Sequence, residues 1–202
     1  MSERLFEDDV IFLQRLLKSA GLYTDTIDGD WGQNTDKAVI AFEKKSKQLA
    51  DALGTFDPRS EKNIQTLQLK TQEAARKFLK AVQGAGITAR IISGSRTYAE
   101  QDRLFRQGRF GNPGPKVTNA RGGQSNHNFG IAWDIGIFKN GAYLPESLLY
   151  KEAAAIGLAA GINGLEWGGN WQTFKDTPHY QSATEFSISE IRQRFENGEP
   201  YV

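Results

Sequence analysis

The sequence predicts an α+β fold: a small, mostly antiparallel sheet with flanking helices, preceded by a small all-α module. Two runs carry the sheet. Ile87-Thr88-Ala89-Arg90-Ile91-Ile92 is rich in β-branched residues, and large apolar residues alternate at Ile131, Trp133, Ile135 and Ile137. Asn140-Gly141, just after the second run, is a hairpin signal, so the sheet is at least partly antiparallel. Helical periodicity dominates positions 1–50 and recurs between and after the strands.

In chain order, Asp8 or Asp9 caps a first helix whose inner face is Val10, Leu13, Leu16 and Leu17 and whose stop is Gly21. Ile27-Asp28-Gly29-Asp30-Trp31-Gly32 is turn-rich. A second helix starts near Asn34 or Thr35 and turns Ala38, Val39 and Phe42 inward. Lys44, Lys45 and Lys47 fall near its end, where cations suit the helix dipole. On these residues alone the segment is a helical hairpin packed on the rest of the protein. Gly54 and Pro58 break the pattern, marking 51–60 as a linker between a module at 1–50 and a second domain at 61–202.

Ser60 caps a helical region running through Ile64, Leu67, Phe78, Leu79 and Val82 to a stop at Gly84–Gly86. The first strand follows and leads into Ser93-Gly94-Ser95-Arg96-Thr97. Thr97-Tyr98-Ala99-Glu100 has capping-box spacing and opens a helix ending near Gly108. Glycine and proline dominate from Gly108 to Gly123, and so long a loop in a compact domain is often functional. An alanine-rich helix over 146–160 ends at Gly161. Pro178 suits the start of an extended segment through His179, and Ser187-Ile188-Ser189-Glu190 opens a last helix closed by Gly198.

Composition removes several classes. Of the 202 residues, 39% are hydrophobic and 11% aromatic, enough for a real core. A net charge of +1 lacks the basic excess that phosphate binding uses, so no nucleic-acid partner is expected. Residues 1–9 are acidic where a signal peptide is basic and then apolar. No run reaches the roughly 20 apolar residues that span a bilayer. The expectation is synthesis in the cytoplasm without membrane insertion, with any outside task needing another exit. The absence of cysteine excludes thiolate ligands, so any metal must use histidine and carboxylate.

The chain has two histidines. His127 lies in Ser125-Asn126-His127-Asn128-Phe129-Gly130-Ile131-Ala132-Trp133-Asp134, and His179 ends Asp176-Thr177-Pro178-His179. Arg96 sits where a strand hands over to a helix, a place from which loops present functional groups. Two readings stand on these residues alone. In one, each histidine is an ordinary, partly buried residue. In the other, His127, Asp134 and His179 hold a metal, Asp176 is a general base, and Arg96 stabilises an oxyanion or binds substrate. Both histidines lie in acid-containing motifs flanked by glycine or proline, and no serine has a nucleophile-elbow context.

Residues 10–46 resemble a peptidoglycan-binding repeat, through Leu13-Gln14, Leu17, Gly21, Ile27-Asp28-Gly29, Trp31-Gly32, Thr35, Ala38-Val39 and Phe42. Residues 56–181 resemble the zinc peptidases that include D-alanyl-D-alanine carboxypeptidases, dipeptidases and L-alanyl-D-glutamate endopeptidases, among them many phage endolysins. The family motif Ser-x-His-x-x-Gly-x-Ala-x-Asp stands at Ser125, His127, Gly130, Ala132 and Asp134. The acid-x-x-His motif runs from Asp176 to His179, and Ser-Gly-x-Arg-Thr is Ser93 to Thr97.

This resemblance implies the fold shared with Hedgehog-type domains and a Zn2+ held by His127, Asp134 and His179. It further implies Asp176 as base and Arg96 and Ser125 as substrate contacts, with Gln101, Trp167 and Trp171 along the pocket wall. Asp rather than Glu at the base position, behind Trp167-Gly168-Gly169-Asn170-Trp171, follows the endopeptidase branch; Glu166 is the fallback base. The implied function is a peptidoglycan hydrolase cutting the L-alanyl-D-glutamate bond of the stem peptide. Such an enzyme is expected to be a monomer reaching the wall or periplasm by holin-type release or by injection. The alternatives are a D-alanyl-D-alanine carboxypeptidase and a non-catalytic wall-binding zinc protein.

Overall fold

The alternating run of residues 131–137 becomes the central strand of a five-stranded antiparallel sheet. The computed structural model describes residues 7–202; positions 1–6, where the acidic N-terminal stretch begins, lie outside them. The elements are α1 (Glu7–Ser19), α2 (Gln33–Leu53), α3 (Pro58–Ile64), α4 (Leu69–Gly84), β1 (Ala89–Ser93), α5 (Tyr98–Arg106), β2 (Ala132–Lys139), β3 (Ala142–Leu144), α6 (Leu149–Ala159), β4 (Leu165–Trp167), β5 (His179–Ser182) and α7 (Ile188–Asn197). Short 3₁₀ turns occupy Asn126–Phe129 and Gly168–Asn170. No helix among the described residues is long and apolar enough to cross a membrane.

The strands run in the order β1-β2-β5-β4, and β3 also pairs with β2. The β2–β3 hairpin turns at Asn140 and Gly141, both with positive φ, as a two-residue primed turn requires. Register decides what each face carries. Asp134 lies opposite His179, and Gln181 opposite both Ala132 and Glu166, while Trp133 and Trp167 both lie opposite Tyr180. Side chains alternate along a strand, so His179 and Gln181 share one face and Tyr180 takes the other. Tyr180 and Trp133 are fully buried on that second face, stacked with ring centroids 5.9 Å apart.

Two compact units emerge, and they do not follow chain order. One gathers the described residues up to Lys44, Arg96–Phe129 and Glu185–Tyr201; the other gathers Lys45–Ser95 and Gly130–Thr184. In the first unit, α1 packs on α7 through Phe12 and Phe195, 5.4 Å apart, and Phe195 meets Phe129 at the same distance. The Tyr201 hydroxyl donates to the Phe129 carbonyl at 2.6 Å.

The second unit holds the sheet. Phe78, Leu79 and Val82 of α4, Ile91 of β1, Ile135 and Ile137 of β2, and Ala153 of α6 form one buried cluster with Trp133 and Tyr180. Gly157 lies so close to Phe78 that a β-carbon there would strike the ring, which is why α6 carries glycine at that point.

The region expected as a linker over 51–60 is mostly helical: α2 runs to Leu53 and Pro58 opens α3. The intervening turn is clamped. Arg76, fully buried, donates to the Gly54 carbonyl and to both carboxylate oxygens of Glu61, and Glu61 also accepts the Phe56 N–H. Such a bidentate pair fixes geometry as well as charge. The cap of α3 is Asp57, not Ser60, because Asp57 accepts the Ser60 N–H. Ser60 instead donates its hydroxyl to Asp57 and receives the Ile91 N–H. The single helical region expected from Ser60 to Gly84 breaks at Gln65–Gln68, where the Gln68 N–H bonds the Gly130 carbonyl.

Candidate metal centre

The His127 segment is built from its own loop. Ser125 accepts the Asn128 N–H through its carbonyl, turning the chain into the 3₁₀ turn that carries His127. Asn128, fully buried, binds loops on both sides. Its Oδ1 accepts the N–H groups of Gly123 and Ser125, while its Nδ2 donates to the Arg96 carbonyl at 2.9 Å. The Arg96 N–H in turn donates to the His127 carbonyl at 2.9 Å. Arg96 and His127 are therefore joined along their backbones, and the guanidinium Nη2 sits 3.3 Å from His127 Nε2.

Gln101, expected along the pocket wall, is fully buried and its amide is engaged inward. Its Oε1 accepts from Arg96 Nη1 at 3.2 Å, and its Nε2 donates to Thr118 Oγ1 and the Ala120 carbonyl. It holds Arg96 rather than facing a substrate. The Thr97–Glu100 capping box anchors the helix that supplies Gln101.

In the sheet, the Asp134–His179 pair puts carboxylate Oδ1 3.2 Å from imidazole Nδ1. On its other edge, His179 Nε2 lies 3.0 Å from Gln181 Oε1. Burial opposes a charge on His179. Hydrogen bonds to Asp134 and Gln181 and the negative charges of Asp134 and Asp176 outweigh it, raising the pKa. Asp176 is half-buried, its N–H donating to the Gly168 carbonyl at 3.1 Å and its carbonyl receiving the His179 N–H at 3.3 Å.

The two tryptophans divide. Trp167 spends its indole N–H on the Thr177 carbonyl at 2.8 Å and packs over Gly169, so it braces the Asp176–His179 segment. Trp171 is half-exposed with its ring tilted 5.0 Å from that of His179. Ser125 is half-buried at the mouth of the 3₁₀ turn.

One potential ligand atom from each of His127, Asp134 and His179 falls within 4.8 Å of the others, the only such group of His, Asp and Glu among the described residues. The donor set fits a divalent cation of zinc type: two imidazoles and a carboxylate, both histidines buried. Adjacent ligands around tetrahedral zinc stand about 3.4 Å apart, given bonds of about 2.0–2.1 Å. The 3.2 Å between Asp134 and His179 matches that edge.

Residues 118–182 match the family described as D-alanyl-D-alanine carboxypeptidase, and residues 7–52 match the one described as putative peptidoglycan binding domain. Among curated proteins, the chain is 37% identical over 108 residues to the peptidoglycan L-alanyl-D-glutamate endopeptidase CwlK of Bacillus subtilis, covering 50% of this chain and 64% of that relative. Among solved structures, it resembles the Serratia marcescens L-Ala D-Glu endopeptidase ChiX with a TM-score of 0.52 and 26% identity. That match covers 63% of this chain and 89% of the other.

Sequence reading missed two polar residues that bond the motif residues of this site: Asn128 and Gln181. Asn128 offered a weak signal, a polar residue beside a motif histidine. The role of Gln181 depends on strand register, and nothing local announces it.

Proposed function

We propose that this chain is a zinc-dependent peptidoglycan hydrolase that cleaves the L-alanyl-D-glutamate bond of the stem peptide, with residues 1–50 as a wall-binding module and 61–202 as the peptidase domain. The observation that carries it is the grouping of His127, Asp134 and His179 ligand atoms within 4.8 Å. The two endopeptidase relatives and both family matches support the substrate.

A Zn2+ held by those residues supplies Lewis acidity and lowers the pKa of water to about 7. Asp176 accepts the proton of the attacking water and returns it to the leaving nitrogen, since one carboxylate serves as base and then acid. Arg96, fixed by Gln101 and by its backbone bond to His127, neutralises charge growing on the scissile carbonyl oxygen. Ser125 and the half-exposed Trp171 contact the peptide.

The deciding experiment is mass spectrometry of purified peptidoglycan digested with and without a chelator. Chelator-sensitive release of stem peptides that begin with D-glutamate supports the proposal. Release of D-alanine alone moves the assignment to a carboxypeptidase, the reaction in the matched family's description. Wall binding without any cleavage by metal-loaded protein leaves a non-catalytic wall-binding protein.

A further inference from the structure

The glycine- and proline-rich stretch over 108–123 has no part in the chemistry above, yet the charge around it is one-sided. Arg103, Arg106, Arg109, Lys116 and Arg121 follow one another there, and no acid stands between Asp102 and Asp134. Against a net charge of +1 for the whole chain, these five cations leave the rest acidic on balance. Elsewhere cations find acids, as Arg76 does in Glu61, Lys77 in Glu73 and Arg192 in Glu196. Arg103, Arg106, Lys116 and Arg121 are exposed and make no ion pair among the described residues.

The loop is built to hold its shape. Arg109 Nη1 donates to the Phe105 and Thr118 carbonyls at 2.7 and 2.9 Å, and its Nη2 donates to Asn119 Oδ1 at 2.9 Å. One guanidinium thus ties the two ends together. A β-carbon on Gly108 would strike the Gly114 carbonyl and the backbone of Pro115 and Lys116, so glycine lets the loop close on itself.

This fixed frame turns apolar groups to water. Phe110 is 76% exposed and Val117 46% exposed. Phe110 also holds a positive φ of 52°, which a bulky residue disfavours. Its ring lies 6.3 Å from that of Phe105, over which the Arg109 and Arg121 guanidinium carbons stand at 4.3 and 4.9 Å. Cations and an exposed aromatic share one surface.

An acidic polymer of sugars and peptides matches that surface. Guanidinium forks pair with carboxylates, and an aromatic face packs on the C–H face of a sugar ring. The D-glutamate of the stem peptide keeps one carboxylate free, whichever of its two acid groups extends the chain. The loop also shares its frame with Arg96, because Gln101 accepts from Arg96 and donates to Thr118 Oγ1 and the Ala120 carbonyl. A bilayer is the poorer match. Positions 111–117 are irregular and exposed, and hydrocarbon would strand their backbone N–H and C=O groups.

We propose that Arg103, Arg106, Phe110, Lys116 and Arg121 form an exosite for an acidic peptidoglycan strand, separate from the groups assigned to the scissile bond. This rests on the peptidoglycan-hydrolase reading above and adds to it a preference for polymer over short peptide.

The test uses the full, zinc-loaded chain. It compares kcat/KM on insoluble peptidoglycan with kcat/KM on a soluble stem tetrapeptide that contains the L-alanyl-D-glutamate bond. A surface of one sign speeds capture of an oppositely charged partner by about 10- to 10³-fold. The triple variant Arg103→Gln, Arg106→Gln, Arg121→Gln lowers the polymer-to-peptide ratio about tenfold, the low end of that span, through KM. Raising salt from about 0.1 to about 1 M shortens the screening length from about 10 to about 3 Å and erases the difference from the unaltered protein. Phe110→Asn, which tolerates positive φ, lowers the ratio at both salt concentrations. Damage confined to the reacting groups lowers both activities and leaves the ratio alone.

An unchanged ratio in either variant overturns the proposal. So does retention on phosphatidylglycerol vesicles that the triple variant loses, without such a loss on peptidoglycan, which makes the surface a membrane contact. If the unaltered protein cleaves neither substrate, the hydrolase reading fails and co-sedimentation with peptidoglycan decides the exosite. It stands if the triple variant is released at lower salt than the unaltered protein, and falls if the two are released together.

Discussion

Asp134 and His179 are directly opposed across β2 and β5, with Oδ1 3.2 Å from Nδ1. In the proposed metal centre the same contact would serve a proton or a cation. In metal-free protein Asp134 helps to raise the His179 pKa against the effect of burial. The stability from protonated His179 is thus fully present below the ordinary histidine pKa and lost as pH rises through the raised folded value. Asp134→Asn should bring the His179 NMR titration midpoint down in chelator-treated protein. A metal held by His179 needs a ring nitrogen unprotonated, so zinc affinity should fall as pH is lowered through the titration. An unmoved midpoint would break the coupling.

His127 and Asp176 separate binding from chemistry. His127→Ala removes one of three donors and should strip the metal under dialysis that leaves the unaltered protein loaded. Asp176→Ala should keep its metal and lose about 10²- to 10⁴-fold in turnover, the span of general acid–base contributions. Metal content and peptidoglycan cleavage measured on the same samples check both. An active Asp176→Ala protein would remove Asp176 from the mechanism.

Local chemistry made much of the fold legible. The alternation in 131–137, the Asn140-Gly141 turn and the Thr97–Glu100 and Ser187–Glu190 capping boxes all act within a few residues, and the strand, hairpin and two helix starts follow from them. Features set by distant partners were not legible. The break before α4 depends on the Gly130 carbonyl, and burial of Arg76 on Glu61 turns an expected linker into a clamp. At the site, the motif spacing pointed to His127, Asp134 and His179 as a group. It could not show that Gln101 and Trp167 face inward to brace Arg96 and the Asp176–His179 segment, since that depends on loop packing.

Arg96 tests whether a positioned fork matters beyond charge. Arg96→Lys keeps the cation but loses the planar donor pair, one arm of which Gln101 holds at 3.2 Å. If the guanidinium stabilises the oxyanion, kcat should fall by about 10²- to 10³-fold, the cost of one such donor elsewhere. Gln101→Leu should produce a smaller loss in the same direction without touching metal content. A change confined to KM would instead make Arg96 a substrate-binding group.

The last prediction concerns the helical module, where Gln14 ties the Asp28-Gly29-Asp30 turn to α1. Its Oε1 accepts the N–H groups of Asp28 and Gly29, both at 3.0 Å, and its Nε2 donates to Asp28 Oδ1 at 2.9 Å. Gln14 is fully buried, so Gln14→Leu keeps apolar volume but leaves the Gly29 N–H without its partner. Stranding such a buried donor costs about 1–3 kcal/mol, which denaturant unfolding resolves. The Gln14 amide is also the main reason that the Asp28 carboxyl sits below the ordinary carboxylate range. What that ionised carboxylate contributes is present above the unfolded carboxylate pKa and lost as pH falls through the lowered folded value. Gln14→Leu should therefore move the Asp28 titration upward and flatten the acid limb of the stability curve. A variant as stable as the parent, with Asp28 unmoved, would show that the turn is held by other contacts.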